Sequence, residues 1–270
     1  MKVNIFDQNF SHTKASIGYD ACCFVKPSLG EWVRNQMVWP GTTVFTDDMC
    51  YSNSVDYVKT DTKIAWLMES PGVNSKIYDN IHKIQHKFHK IMTFLNEESS
   101  LKLGISSEKY LNFPIGGAWV EPDFIVTKKT KLCSLIASTK NYLPGHKLRH
   151  EIANSYSNLD LYGTAYREVT NKSDALHDYA FSIVIENMII PGYFTEKLID
   201  CLLTRTVPVY VGDPEISKIF DINGFLGIND IDNLSFERYN SLFPIIESNF
   251  QKALEFRSID DNVFKLIEKF

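Results

Sequence analysis

The sequence predicts an α/β protein, with a doubly wound parallel sheet in its C-terminal half and a less regular half of the same kind before it. Three observations carry this. Short continuous apolar runs such as "YAFSIVIEN" and "VPVYVGD" recur in the second half of the chain. Segments of helical periodicity, about 10–13 residues long, separate them, which is the alternation of a parallel sheet covered on both faces. The chain has 270 residues, 44% of them hydrophobic, enough for one large α/β unit or two domains that bury a core without disulfide or metal staples.

Taken in order, "KVNIF" opens as a strand. Residues 21–61 carry turn signals at Pro27 and Pro40-Gly41 and do not thread into elements. "KIAWLM" (63–68) is a strand that stops at Glu69-Ser70-Pro71-Gly72. Residues 76–91 read as helix and "IMTFL" as a further strand. Then follow "TKLCSLIAS" as strand, 144–156 as helix, "LDLYG" as strand and 173–179 as a short helix. "YAFSIVIEN" is a strand, 194–205 a helix, "VPVYVGD" a strand and "GFLGI" an edge strand. The tail 234–270 reads as two amphipathic helices, with Phe250, Leu254, Phe264 and Ile267 at helical spacing.

A net charge of −5 argues against a broad nucleic-acid footprint, so any anion site must be local. The five cysteines (Cys22, Cys23, Cys50, Cys133, Cys201) are odd in number and lack CxxC spacing, which points to a reducing compartment with no disulfide framework or zinc ribbon. "MKVNIFDQNF" lacks the apolar run of a signal peptide or membrane anchor. The expectation is a soluble, cytoplasmic chain with no integral membrane segment.

Ligands of open parallel sheets bind outside the carboxyl ends of the strands. That rule picks out Glu69, then Ser138, Thr139 and Lys140, then Glu186 and Asn187, then Gly212 and Asp213. The helix at 194–205 adds Thr195 as N-cap, with free N–H groups and a positive dipole end facing the loop. Such an end takes anions, and Lys197 in the first turn opposes the dipole unless an anion is near, which argues for a phosphate. Glu196 suits the hydroxyls of a ribose or sugar. The bare residues read at least as readily as solvated first-turn charges. In "PGHKLRHEI" the Arg149 side chain, flanked by His146 and His150, fits a bidentate grip on phosphate or an ordinary surface helix.

No GxGxxG, Walker A loop or GxSxG elbow is present. His82, His86 and His89 have helical spacing but no accompanying carboxylate and many lysines, so they read as a solvated basic face. Asp47-Asp48 read as adjacent acids in a turn with no matching partner in the sequence.

The run "FSIVIENMIIPGYFTEKLIDCLLTRTVPVYVGDP" strongly resembles the donor-binding signature of the α1,3-fucosyltransferase family, glycosyltransferase family 10: a strand ending in Glu-Asn, Tyr-x-Thr-Glu-Lys, a helix, and a "VPV" strand ending in Gly. "SLIASTKNYLPGHKLRHEI" resembles the family's element with a phosphate-binding arginine, and "WLMESPG" its segment with the proposed catalytic carboxylate. The resemblance implies a GT-B-type fold of two facing Rossmann-like domains, the donor in the C-terminal one and a glycan acceptor toward the N-terminal one. It implies inverting, metal-independent transfer of fucose from GDP-fucose, with no cofactor and an α1,3-type linkage expected.

By position, Glu69 would be the catalytic carboxylate, Lys197 and Arg149 would neutralise the diphosphate, and Glu196 would hold ribose hydroxyls. Glu186, Asn187 and Tyr193 would shape the pocket; Lys140 is included from position alone. The expected domains are 1–127, 128–235 and a tail 236–270 packing back on the first. Ile185 departs from the family's aromatic before Glu-Asn, and the anchor of animal members and the basic heptad tail of some bacterial ones are absent from the sequence. Two other readings share these residues: a relative using another donor such as GDP-mannose, and a catalytically silent sugar-nucleotide or glycan-binding protein.

Overall fold

The computed structural model describes residues 1–8, 25–126 and 128–270. Cys22 and Cys23 lie outside these; Cys50, Cys133 and Cys201 are free and buried. The chain divides into two compact units, Met1–Ile115 with Ser258–Phe270, and Gly116–Arg257. The divisions fall at 115/116 and 257/258, where the sequence reading has them at 127/128 and 235/236.

The first unit runs β1 (Lys2–Phe6), β2 (Glu31–Arg34), β3 (Val38–Thr46), a short α1 (Ser54–Tyr57), β4 (Lys59–Leu67), α2 (Ser75–Ile84), β5 (Lys90–Thr93), α3 (Glu97–Lys102) and β6 (Tyr110–Asn112). Its strands form one parallel sheet in the order β2-β1-β3-β4-β5-β6. Pro40-Gly41 does not end β3, as turn chemistry suggests, but sits in a bulge where the register to β4 shifts between Trp39 and Thr42. Gly41 takes φ 111° there, its N–H donating to Asp61 Oδ2 at 2.8 Å and its carbonyl accepting from Thr60 Oγ1 at 2.7 Å. The helix expected over 76–91 stops at Ile84; a 3-10 turn over Gln85–Lys87 follows, and buried Ile91 belongs to the sheet in β5. The three histidines therefore share no helical face, and His89 instead accepts from the Lys63 N–H at 2.9 Å. Among the described residues no group of three or more His, Cys, Asp or Glu is arranged to hold a metal.

The second unit runs β7 (Lys131–Ile136), α4 (Pro144–Ser155), β8 (Asp160–Tyr162), β9 (Tyr179–Ile185), α5 (Glu196–Leu203), β10 (Val207–Val211), α6 (Phe236–Ser241) and α7 (Phe243–Ala253). The parallel sheet has the order β10-β9-β7-β8. Every residue of β9 is buried, as a strand covered on both faces requires. Ile183 and Ile185 pack with Leu135 and Ile152 on one side; Val184 packs with Leu198, Leu202 and Phe250 on the other. Two expectations shrink. "GFLGI" forms no strand, only a single bridge from Leu226 to Val209, and the short helix at 173–179 is a 3-10 turn over Lys172–Ala175.

A last helix, α8 (Ile259–Ile267), belongs to the first unit. Its Ile259, Val263, Phe264 and Ile267 join Val3, Ile5, Trp32 and Trp66 in one core, each such side chain contributing roughly 1.5–3 kcal/mol by leaving water. Asp260 accepts from Trp32 Nε1 at 2.7 Å, and Asp261 accepts from the backbone N–H of Ser28 and Leu29. No helix among the described residues is long and apolar enough to cross a membrane.

Candidate functional site

In the second unit the predicted residues converge where β9 ends and α5 begins. Thr195 is the N-cap, its hydroxyl oxygen accepting from the Lys197 N–H. Glu186, fully buried one residue past β9, accepts from the Thr195 N–H and hydroxyl at 2.8 Å each. The carboxylate thus ties the strand end to the helix start. Burial raises its pKa, against the pull of Lys197. Lys197 Nζ donates to Thr195 Oγ1 at 3.0 Å and Glu196 Oε1 at 3.1 Å, and lies 3.7 Å from Glu186. The anion that the sequence argument demands beside this lysine is therefore present within the chain, as two carboxylates.

A second cation escapes sequence reading. Lys172, in the 3-10 turn before β9, bonds Asp200 Oδ2 at 2.5 Å and lies 3.9 Å from Glu196. Asp200, buried on α5, also accepts from the Trp119 N–H at 2.7 Å, and Lys172 sits 5.3 Å above the Trp119 ring. Burial works against the Lys172 charge, yet Asp200 and Glu196 raise its pKa. Burial likewise opposes ionisation of Glu196, but Lys197 and then Lys172 outweigh it and hold that carboxyl down to about 2. The two lysines thus favour the ionised form of Glu196.

Arg149 reaches the same strand end from α4. Its Nε donates to the Ile185 carbonyl at 3.0 Å, and its Nη2 to that carbonyl and to Asn187 Oδ1. Two of its nitrogens are thus engaged by the chain, and Arg149 is buried instead of lying on a surface helix face. Burial lowers its pKa, opposed by Glu186 and Glu196. This approach depends on Gly145, because a Cβ there would lie 1.8 Å from the Glu186 carbonyl oxygen. The Gly145 N–H instead bonds the Asn187 carbonyl at 3.1 Å. Tyr193 is buried in the loop before α5, and the Arg149 charge responds to its proximity. Asp213 after β10 organises that loop by accepting from the Gly192 and Glu215 N–H groups at 2.8 Å each. Lys140 is exposed in the loop after β7. Ile185 faces the core, so its departure from the family pattern alters packing.

Glu69 lies apart in sequence and in unit, half-buried just past β4 of the first unit. Its N–H donates to Asp47 Oδ1 at 3.3 Å and its carbonyl accepts from the Tyr78 hydroxyl at 2.5 Å. The second unit thus offers clustered cations and an ionised acceptor, suited to a polyanion that carries hydroxyls; the first offers a carboxylate held by its backbone.

The two parallel sheets, each with polar residues past its strand ends, place the chain in the α/β class, and solved structures share this fold. A crystal structure of an α1,3-fucosyltransferase with GDP-fucose covers 99% of this chain and 88% of its own, at 16% identity and TM-score 0.53. One of an α1,3-fucosyltransferase with GDP gives the same coverage and identity at TM-score 0.51. The GT-B-type α/β class expected from sequence is borne out. Residues 126–243 match the family model "Glycosyltransferase family 10 (fucosyltransferase) C-term", so the family resemblance is borne out over this segment. The chain is 38% identical over 65 residues to the α-(1,3)-fucosyltransferase FucT of Helicobacter pylori, which is 24% of this chain. It is 26% identical over 124 residues to the putative fucosyltransferase R654 of Acanthamoeba polyphaga mimivirus, 40% of this chain. These alignments span 14% and 20% of the relatives' own lengths.

Proposed function

We propose that the chain is a GDP-fucose-dependent fucosyltransferase that moves fucose to a glycan hydroxyl with inversion and without a metal. The observation that carries this is the cluster at the start of α5, where Lys197, Glu196, Glu186 and Arg149 meet inside the segment matching the family model. In this reading the diphosphate exchanges with the carboxylates for Lys197 and meets the remaining Arg149 nitrogen, while Glu196 accepts from ribose hydroxyls. Asn187 and Tyr193 line the sugar-nucleotide pocket, Glu186 anchors the helix start, and Lys140 adds an outer charge. Glu69 takes the proton of the acceptor hydroxyl as its oxygen bonds the anomeric carbon. The bond from that carbon to the β-phosphate oxygen breaks on the opposite face, and GDP leaves with its charge met by fixed cations and a helix N-terminus.

The test is calorimetric titration of the full chain with GDP, GDP-fucose, GDP-mannose and UDP-sugars in EDTA, alongside Lys197→Ala. GDP compounds are expected to bind without metal, GDP-fucose preferred, and the variant to lose that binding. A requirement for metal, or binding of a UDP-sugar alone, overturns the donor assignment; binding of no nucleotide sugar overturns the enzyme reading.

A further inference from the structure

The acidic pair Asp47-Asp48 has its partners in the turn that carries Glu69. Asp47 follows β3, and its buried Oδ1 accepts from the backbone N–H groups of Met68 at 2.9 Å and Glu69 at 3.3 Å. The Tyr78 hydroxyl grips the Glu69 carbonyl from the other side. Asp48 accepts from Asn74 Nδ2 at 3.2 Å and the Tyr51 hydroxyl donates to the Lys76 carbonyl at 3.0 Å, so the 47–51 turn is joined along the whole 68–76 segment. Asp47 also has φ 40°, a left-handed conformation that a non-glycine residue keeps only where its surroundings demand it. Core packing requires neither the buried carboxylate nor the strained backbone.

We propose that Asp47 is a positioning residue for Glu69: it fixes the 68–69 backbone so that the Glu69 carboxylate is presented in one orientation. This rests on the reading of Glu69 as the base. Burial pushes the Asp47 carboxyl up to about 7, against the two N–H groups and with Glu69 and Asp48 adding to the rise. The buried Cys50 thiol on its own turn also faces it. As Asp47 ionises, its hold on both N–H groups strengthens.

The test follows GDP release from GDP-fucose with water as acceptor, from about pH 5 to 9, for the wild type, Asp47→Asn and Glu69→Gln. In parallel, the amide resonances of Met68 and Glu69 are followed with pH in the 15N-labelled wild-type chain. The wild-type rate is expected to rise through a midpoint near 7 that both amides share. Asp47→Asn should lose that limb and about tenfold in kcat, with KM for GDP-fucose unchanged. A wild-type pH profile in Asp47→Asn while Glu69→Gln is inactive overturns the proposal alone. So do Met68 and Glu69 amides that stay flat through neutrality, whatever the variants do. Full activity in Glu69→Gln overturns the base assignment, and this proposal with it.

Discussion

Two carboxylates, one in each unit, are held by opposite means: half-buried Glu196 and buried Asp47. In the second unit Glu196 is gripped by ammonium groups, Lys197 at 3.1 Å and Lys172 at 3.9 Å, and its pKa falls to about 2. In the first, Asp47 is gripped by two backbone N–H groups, burial outweighs them, and its pKa climbs to about 7. Two ammonium groups outweigh the burial of Glu196 and favour its charged form, whereas Asp200 and Glu186, buried more deeply, are raised despite their lysines. For Asp47, burial outweighs the two backbone bonds and brings the carboxyl near neutrality.

The strongest way to break this contrast is to compare Glu69→Gln with Lys197→Ala. Glu69→Gln is expected to lower turnover by about 10³-fold while leaving the calorimetric Kd for GDP-fucose unchanged, the behaviour of a general base. Weakened GDP-fucose binding instead would make it a binding residue and erase the division of labour. Lys197→Ala is expected to weaken GDP-fucose by about 10²-fold, since it removes one partner from a half-buried cluster of charges.

Stability against pH sharpens the contrast, because the signs are opposite. Asp47 has a raised pKa, so its folded form holds a proton more tightly than the unfolded chain does. Its contribution is complete below its ordinary value of 3.8 and is lost as pH rises through about 7. Asp47→Asn cannot ionise, and at neutral to alkaline pH it should be about 2 kcal/mol more stable than the wild type. That is roughly half of what the shift would supply, since a buried amide carries its own desolvation cost. Urea midpoints should show the gap closing toward acid; a gap independent of pH would sink the assignment. Glu196 has a lowered pKa, so its contribution is present above 4.5 and lost as pH falls to about 2. Glu196→Gln should cost about 1.5 kcal/mol at neutral pH, the difference vanishing in strong acid.

The same contrast explains what was legible in the sequence. The second unit reads well because β7, β9 and β10 are largely apolar runs, Glu186 and Asn187 directly follow β9, and Glu196 and Lys197 open α5 after its Thr195 cap. Lys172 was missed because it lies in a 3-10 turn before β9, at the wrong end of a strand for the rule, and is brought to Glu196 by tertiary packing. In the first unit β3 was hidden by Pro40-Gly41, which the chain absorbs as a bulge instead of a turn. Asp47 went unrecognised because its partners are backbone N–H groups, which no letter of the sequence records.

The return of α8 to the first unit sets an order of manufacture. The second unit is one uninterrupted stretch, but the core of the first lacks Val263 and Phe264 until the whole of the second has been made. At synthesis rates of about 5–20 residues per second, the sheet begun at Lys2 waits roughly 8–30 s after Ile115 for its closing helix. Throughout that interval the face of Trp32 that Phe264 meets at a ring separation of 4.8 Å lacks its cover on the nascent chain, where a chaperone has time to bind it.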